Sequence, residues 1–321
     1  MNFDLQKFSD LNTNVTTSTA TGNDMSPQMQ TFYDKNIIRN AIPLLVHDQF
    51  GQKRPINKNS GKKIQFRRLN PFPKVLTALT EGVTPDGRKL DWTKVEAEVS
   101  QYGDYATTSD LLDLSSVDNN ILEAQRVLGE QAGTTLDTIT REILNSGTNV
   151  QYGDGAKLSR GAIAASDILT VNSVKKAVKT LKAMNAKKID GDYIAIVHTN
   201  VAFDLMDDPA WQAVNAYNPT NFYEGEIGRI FGVRFIETSE AKVFTGEGAG
   251  GLDIYSTLII GADAYGITEI EGGGLETIIK TKGSGGTSDP LDQRSTIGWK
   301  ATRAAEILTQ AFMVRIETSA S

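Results

Sequence analysis

Residues 51–100 restrict this chain more than any other stretch, because they pair two alternating segments with no room for a helix. Prolines stand at 55, 71, 73 and 85, and proline inside a helix removes a hydrogen bond and clashes with the preceding turn. In Lys62–Leu69, Ile64, Phe66 and Arg68 share one parity. In Leu90–Ser100, Trp92, Lys94, Glu96 and Glu98 hold one parity and Val95, Ala97 and Val99 the other. A period of two predicts strands. Pro85-Asp86-Gly87 is a turn signal between them. The reading is a long two-stranded excursion with a polar tip. A lone hairpin is marginal in water, so this one needs a surface to lie on, its own chain's or a neighbour's.

The rest of the chain mixes helices and strands. Residues 1–25 show no sustained period and read as an extended arm. Ser26-Pro27 opens a helix over 27–41, with Met29, Phe32, Tyr33 and Ile37 on one stripe. Asp110–Ser116 reads as a short connector. Ser116 then caps a long helix to about Ser146, whose stripe is Val117, Ile121, Leu128, Ala132, Leu136, Ile139 and Ile143. About 30 residues span roughly 45 Å. Gly129 and Gly133 weaken this helix and could let it bend. Ser166 is expected to cap a further helix bearing Ile168, Val171, Val174, Val178 and Leu181. Asp192–His198 suits a buried strand, followed by a short helix capped by Thr199 or Asn200 and ending near Pro209. Strands are expected at 227–236, 253–261, 275–282, 295–303 and 310–318. There is no regular βαβ rhythm and no internal repeat, so the fold class is α+β.

Composition narrows the chemistry. Cysteine is absent and there are two histidines, His47 and His198. That removes disulfides, thiolate metal sites and cysteine nucleophiles, and no spacing suggests a metal site. His198 reads as a strand-end histidine bonded to backbone rather than a base, and His47 is weighed the same way. Asp207-Asp208 before Pro209 reads as a helix-ending turn rather than a chelating pair. The glycine-containing loops lack phosphate-binding spacing. No apolar run approaches the roughly 18 residues of a membrane span. We therefore expect no catalytic, cofactor or metal residues and no enzyme.

Charge is more informative. The chain carries 33 Lys and Arg against 39 Asp and Glu, a net charge of −6. Yet Lys53, Arg54, Lys58, Lys62, Lys63, Arg67, Arg68 and Lys74 lie in one window without an acid. A second block holds Lys175, Lys176, Lys179, Lys182, Lys187 and Lys188. A solvated face is the usual fate of such runs. The alternative is docking, onto an acidic neighbour or onto nucleic acid; the first block sits on the hairpin that needs a partner, which favours docking, and for the second, the solvated and docking readings stay open.

The order of arm, basic hairpin, long helix and mixed α+β region resembles the major capsid protein fold of tailed bacteriophages, the Hong Kong ninety-seven type. Within it, the chain is similar to the coat family named for phage N-four. Asp192–Trp211, Gly225–Glu237 and Ile297–Ala301 carry the resemblance. It implies a division into an N-terminal arm with short helix at 1–59, an extended hairpin loop at 60–105 and a peripheral domain with the spine helix at 106–190. A mainly axial domain at 191–290 and C-terminal strands returning to the peripheral domain at 291–321 complete it. About 25 residues before the first helix are too few for a cleaved scaffolding segment. The function implied is self-assembly into an icosahedral head shell around double-stranded DNA. Partners would be further copies in hexamers and pentamers, portal and decoration proteins, and DNA through non-specific contacts, without a membrane. The site would be the virion, after assembly in the host cytoplasm. Lys62, Lys63, Arg67, Arg68 and Trp92 are the candidate intersubunit contacts, and Gly51, Gly61, Gly103, Gly129 and Gly133 the candidate hinges. A cellular nanocompartment shell of the same fold is the alternative. An α+β enzyme, or another virion protein, is less favoured.

Overall fold

The computed structural model describes residues 45–115, 120–216, 228–285 and 289–321. The expected arm, the helix at 27–41 and the Ser116 cap lie outside them. The described chain divides into two compact units, one of Gln101–Leu136 with Gly273–Thr302, the other of Val46–Ser100, Asp137–Gly272 and Arg303–Ser321. These borders do not coincide with the expected ones near 190 and 290.

In the first unit a helix stands on a small sheet. Strand β12 (Glu276–Lys280) runs antiparallel to β13 (Arg294–Ile307), from Glu276 opposite Lys300 to Lys280 opposite Thr296, and β4 (Ser100–Ser109) pairs with β13 as well. Glycine lets these strands approach. A Cβ on Gly103 would stand 2.6 Å from the Trp299 carbonyl oxygen, and one on Gly298 would stand 2.7 Å from the Tyr105 Cβ. Residues 110–115 form a helical turn, α1 (Asp110–Ser115), where a connector was expected; the Asp110 carboxylate accepts the Leu111 N–H at 2.8 Å. Helix α2 (Asn120–Asn145) begins in this unit and continues into the other. Leu128, Ala132 and Leu136 are buried along it, as the stripe predicts. The buried Trp299 indole donates to Gln131 Oε1 at 3.2 Å, and the Gln131 amide donates to Asp104 at 2.7 Å.

The second unit is built on a seven-stranded sheet in the order β5 (Val150–Tyr152), β14 (Met313–Thr318), β10 (Ile254–Ile260), β6 (Tyr193–His198), β8 (Val233–Thr238), β7 (Arg229–Ile230), with β9 (Val243–Phe244) also on β10. Its central strands are buried on both faces, so they read as continuous apolar runs. Ala195, Val197, Ile259, Val314 and Ile316 face one core with Val174, Val178 and Leu181 of α3 (Val171–Ala183). The opposite parity, Ile194, Ile196, Leu258, Ile260 and Met313, faces a second core with Leu144 and Tyr265. Here β11 (Tyr265–Thr268) pairs with the last residues of β13 and, in parallel, with β1 (Gln52–Lys53).

Two expected helix starts move. Helix α3 begins at Val171, not near Ser166, and Thr170 caps it by accepting the Ser173 N–H at 3.3 Å. Ile168 instead forms a parallel bridge to Ser319, which takes residues 166–169 out of the helix. Helix α4 (Thr199–Asp207) is capped by His198, whose Nδ1 accepts the Asn200 N–H at 3.1 Å, rather than by Thr199 or Asn200. Asp208 follows it. Its carboxylate accepts the Val171 N–H at 2.9 Å and the Ala210 N–H at 2.8 Å, serving α3 and α5 (Pro209–Ala216) together.

The buried stripe of α2 becomes polar in this unit. Asp137 takes the backbone N–H of His47 at 2.7 Å and lies 2.7 Å from its ring Nδ1, while the Thr140 hydroxyl donates to Asp48 at 2.6 Å. Asp48 also pairs with Arg303, and Tyr265 donates to the His47 carbonyl. Burial lowers the Arg303 guanidinium to about 10, which leaves it charged at neutral pH beside Asp48.

Arg303→Leu strands the buried Asp48 carboxylate, and a loss of about 3–5 kcal/mol is expected in denaturant unfolding. Gly266→Ala is expected to cost about 1–3 kcal/mol by overpacking. Its new Cβ would stand 2.8 Å from the Phe66 ring. Unchanged unfolding midpoints would contradict either expectation.

Candidate assembly surface

The hairpin is present as the alternation predicts. Strand β2 (Lys63–Leu69) runs antiparallel to β3 (Trp92–Glu98), in register from Lys63 opposite Glu98 to Leu69 opposite Trp92. Side chains on a strand alternate between faces, and here the faces differ in kind. Phe66 and Ala97 are buried with Ile56, Val99 and Ala304, and Ile64 and Val95 pack against them. The Phe66 ring lies over the bare Cα of Gly266. This face fixes the base of the hairpin to its own unit.

The ladder ends in a polar clamp. The Asn70 N–H donates to the Asp91 carbonyl at 2.9 Å, the Asn70 amide donates to the Asp91 carboxylate at 2.6 Å, and the Thr93 hydroxyl donates to Asn70 at 2.9 Å. Beyond it, residues 70–91 form no strand or helix, and all but the partly buried Asn70 are exposed. Phe72, Val75, Leu79, Val83 and Leu90 are exposed there, and Leu76 is 90% exposed. Apolar side chains gathered on one exposed segment mark a contact surface.

The expected contact residues divide. Lys62 is exposed. Lys63 pairs with Glu98 at 3.3 Å within the hairpin. Arg67 donates only to Gln65, at 3.2 Å. Arg68 turns to its own unit, donating to the Thr309 hydroxyl at 2.7 Å with its guanidinium 5.7 Å from the Phe312 ring centre. Trp92 is 51% exposed. Nothing in the alternation distinguishes Arg68 from Arg67 except parity, and parity is what sends Arg68 inward. The Asn70–Asp91 clamp was not foreseen; two polar residues flanking the strand ends were its only trace.

The candidate hinges occupy three settings. Gly61 has φ +91° and open space around it. Gly51 and Gly103 sit in close packing: a Cβ on Gly51 would stand 2.6 Å from the Tyr265 ring. Gly129 and Gly133 lie on the buried side of α2, which runs unbroken through both. In the second lysine block, Lys176 pairs with Asp154 at 3.3 Å, Lys175 lies 4.5 Å from the Phe231 ring centre, and Lys179, Lys182 and Lys187 are exposed. His47 and His198 are both occupied structurally, and no group of three metal-ligating side chains occurs among the described residues. No described helix is long and apolar enough to cross a membrane.

A family model described as phage capsid protein matches residues 92–315. The chain belongs to the phage capsid protein family. Its fold is that of solved phage shells. The capsid of Ralstonia phage GP4 superposes with a TM-score of 0.66 at 16% identity, covering 84% of this chain and 87% of that one. The cyanophage Pam1 capsid gives 0.66 at 16% identity over 82% and 86%. The capsid of Helicobacter pylori bacteriophage KHP30 gives 0.63 at 11% identity over 99% and 98%. No curated protein matches in sequence. This capsid protein is thus a structural component of the virion.

The His198 cap gives the capsid protein a pH-dependent joint. Burial lowers the His198 pKa, against the opposing pull of Glu237 and Glu240. A lowered folded pKa means that the cap contributes fully above about 6.5, the unfolded value, and is lost as pH falls through the folded one. His198→Ala is expected to cost about 0.5–2 kcal/mol at pH 8. The gap from the parent should narrow at pH 5 in thermal unfolding; a gap independent of pH contradicts the cap.

Proposed function

We propose that this chain is the major shell subunit, assembling with its own copies into hexamers and pentamers that close an icosahedral head around packaged double-stranded DNA. The observation that carries the reading is the exposed apolar segment 70–91, held away from its own core by a ladder and a clamp. The hairpin crosses to an adjacent copy and covers that apolar surface there. Ring closure needs heterologous contacts, in which one patch meets a different patch on the next copy. Hexamer and pentamer environments ask for different hairpin angles, and Gly61 at its base is the proposed pivot. Residues 106–190 with the long helix, joined by the strands at 291–321, would serve as the peripheral domain, and residues 191–290 mainly as the axial domain. The portal, decoration proteins and DNA are the expected further partners, the last through non-specific contacts, and assembly takes place in the host cytoplasm.

Electron microscopy of the purified chain is expected to show closed shells. Replacing 71–90 with a short turn that joins Asn70 to Asp91 keeps the clamp and the buried base. That variant is expected to stay folded by circular dichroism and to remain a small soluble species by sedimentation. Shells of normal size from it would overturn the assembly role of the segment.

A further inference from the structure

The outward face of the hairpin carries a pairing that its own chain does not reward. Reading along the register on that face, Lys63 stands opposite Glu98, Gln65 opposite Glu96, Arg67 opposite Lys94 and Leu69 opposite Trp92. The first two pairs are satisfied internally: Lys63 reaches Glu98 at 3.3 Å and the Gln65 amide donates to Glu96 at 2.5 Å. The last is an apolar pair, with both partners exposed. Between them sit two cations. Directly opposed side chains on an antiparallel ladder have Cβ atoms about 5 Å apart, and like charges there destabilise the pair. The nearby carboxylates do not contact either cation directly. Glu96 is held by Gln65, Glu98 by Lys63, and among the described residues neither Arg67 nor Lys94 has a carboxylate partner.

We propose that Arg67 and Lys94 form a two-sided cation clamp for a carboxylate on a second copy of this chain. A carboxylate between the two cations turns their repulsion into two charge-assisted hydrogen bonds, and Leu69 and Trp92 give the same partner an apolar rest beside it. That neighbouring apolar pair favours protein over a nucleic-acid backbone, which rewards charge alone. Charge complementarity favours a copy of the chain itself, since its net charge is −6 while this face is locally basic. The surface is continuous with segment 70–91, so the clamp rests on the assembly reading above and adds to it the chemistry that fixes the register of docking.

The clamp has a signature that a solvated charge patch lacks. Arg67→Glu replaces a like-charge pair with an opposite-charge pair inside the hairpin. The unassembled variant is therefore expected to unfold at the same temperature as the parent or higher, while its yield of shells falls at least tenfold. Lys94→Glu, made from the other strand, is expected to do the same, and serves if the first variant does not fold. All chains are assembled after nuclease treatment and followed by sedimentation and electron microscopy. If the parent forms no shells even without nuclease treatment, the assembly reading itself fails. If the parent assembles and both variants match it, the clamp is overturned while the assembly reading stands. If nuclease abolishes the parent's assembly and the variants lose only binding to an oligonucleotide probe, the anion is a phosphate and the carboxylate clamp is overturned.

Discussion

The contact between the Phe66 ring and the side-chain-free Gly266, with Arg68 on Thr309 just beyond it, fixes the base of the hairpin to its own unit. On the near side of it, Ile56, Ala97, Val99 and Ala304 close a small core and the two strands are committed to the parent unit. On the far side, the ladder runs three more residue pairs to Leu69 and Trp92, and then the chain is exposed. A hairpin with no anchor would be marginal, and one buried along its whole length would have nothing to offer a neighbour. The anchor is short and the free part long, and that proportion is what makes the segment a connector between molecules.

The alternation in 62–69 and 90–100 was sufficient to find both strands, because a period of two is a property of the backbone that sequence displays directly; the tip, expected to be polar, instead exposes Phe72, Val75, Leu76, Leu79 and Val83. The apolar runs of Tyr193–His198, Ile254–Ile260 and Met313–Thr318 were equally legible as strands, though not the fact that β14 sits between β5 and β10 rather than with the first unit. Long-range order among buried strands leaves no local mark. The helix starts at Thr170 and His198 were missed for a related reason. Ser166 and Thr199 have the better capping chemistry by type, but Ile168 is held in a bridge to Ser319, which delays the helix until Val171.

The site was legible in outline and not in detail. A basic run on a hairpin was visible, yet the division of labour among Lys63, Arg67 and Arg68 depends on which cross-strand and tertiary partners each meets. The polar interior was less accessible still. The apolar stripe of α2 pointed to Ile139 and Ile143, which are only half-buried, while the structure buries Asp137 and Thr140 on the helix. They are tolerated because His47 and Asp48 arrive from a distant segment to pair with them, and burying a polar group is inexpensive only when its partner is present. Nothing in the periodicity announces a partner some ninety positions away.

The position of β14 bears on when this polypeptide becomes competent to join a lattice. Strands β6 and β10 leave the ribosome well before the stretch after residue 312, yet β14 completes the pairing of β10 and supplies Val314 and Ile316 to one core and Met313 to the other. Until it emerges, β10 presents an unpaired edge and two open apolar faces, the condition under which nascent chains aggregate. A strand from far along the sequence thus closes the sheet interior: β10 is paired on both sides, and both apolar faces are covered, only once β14 lies between β5 and β10.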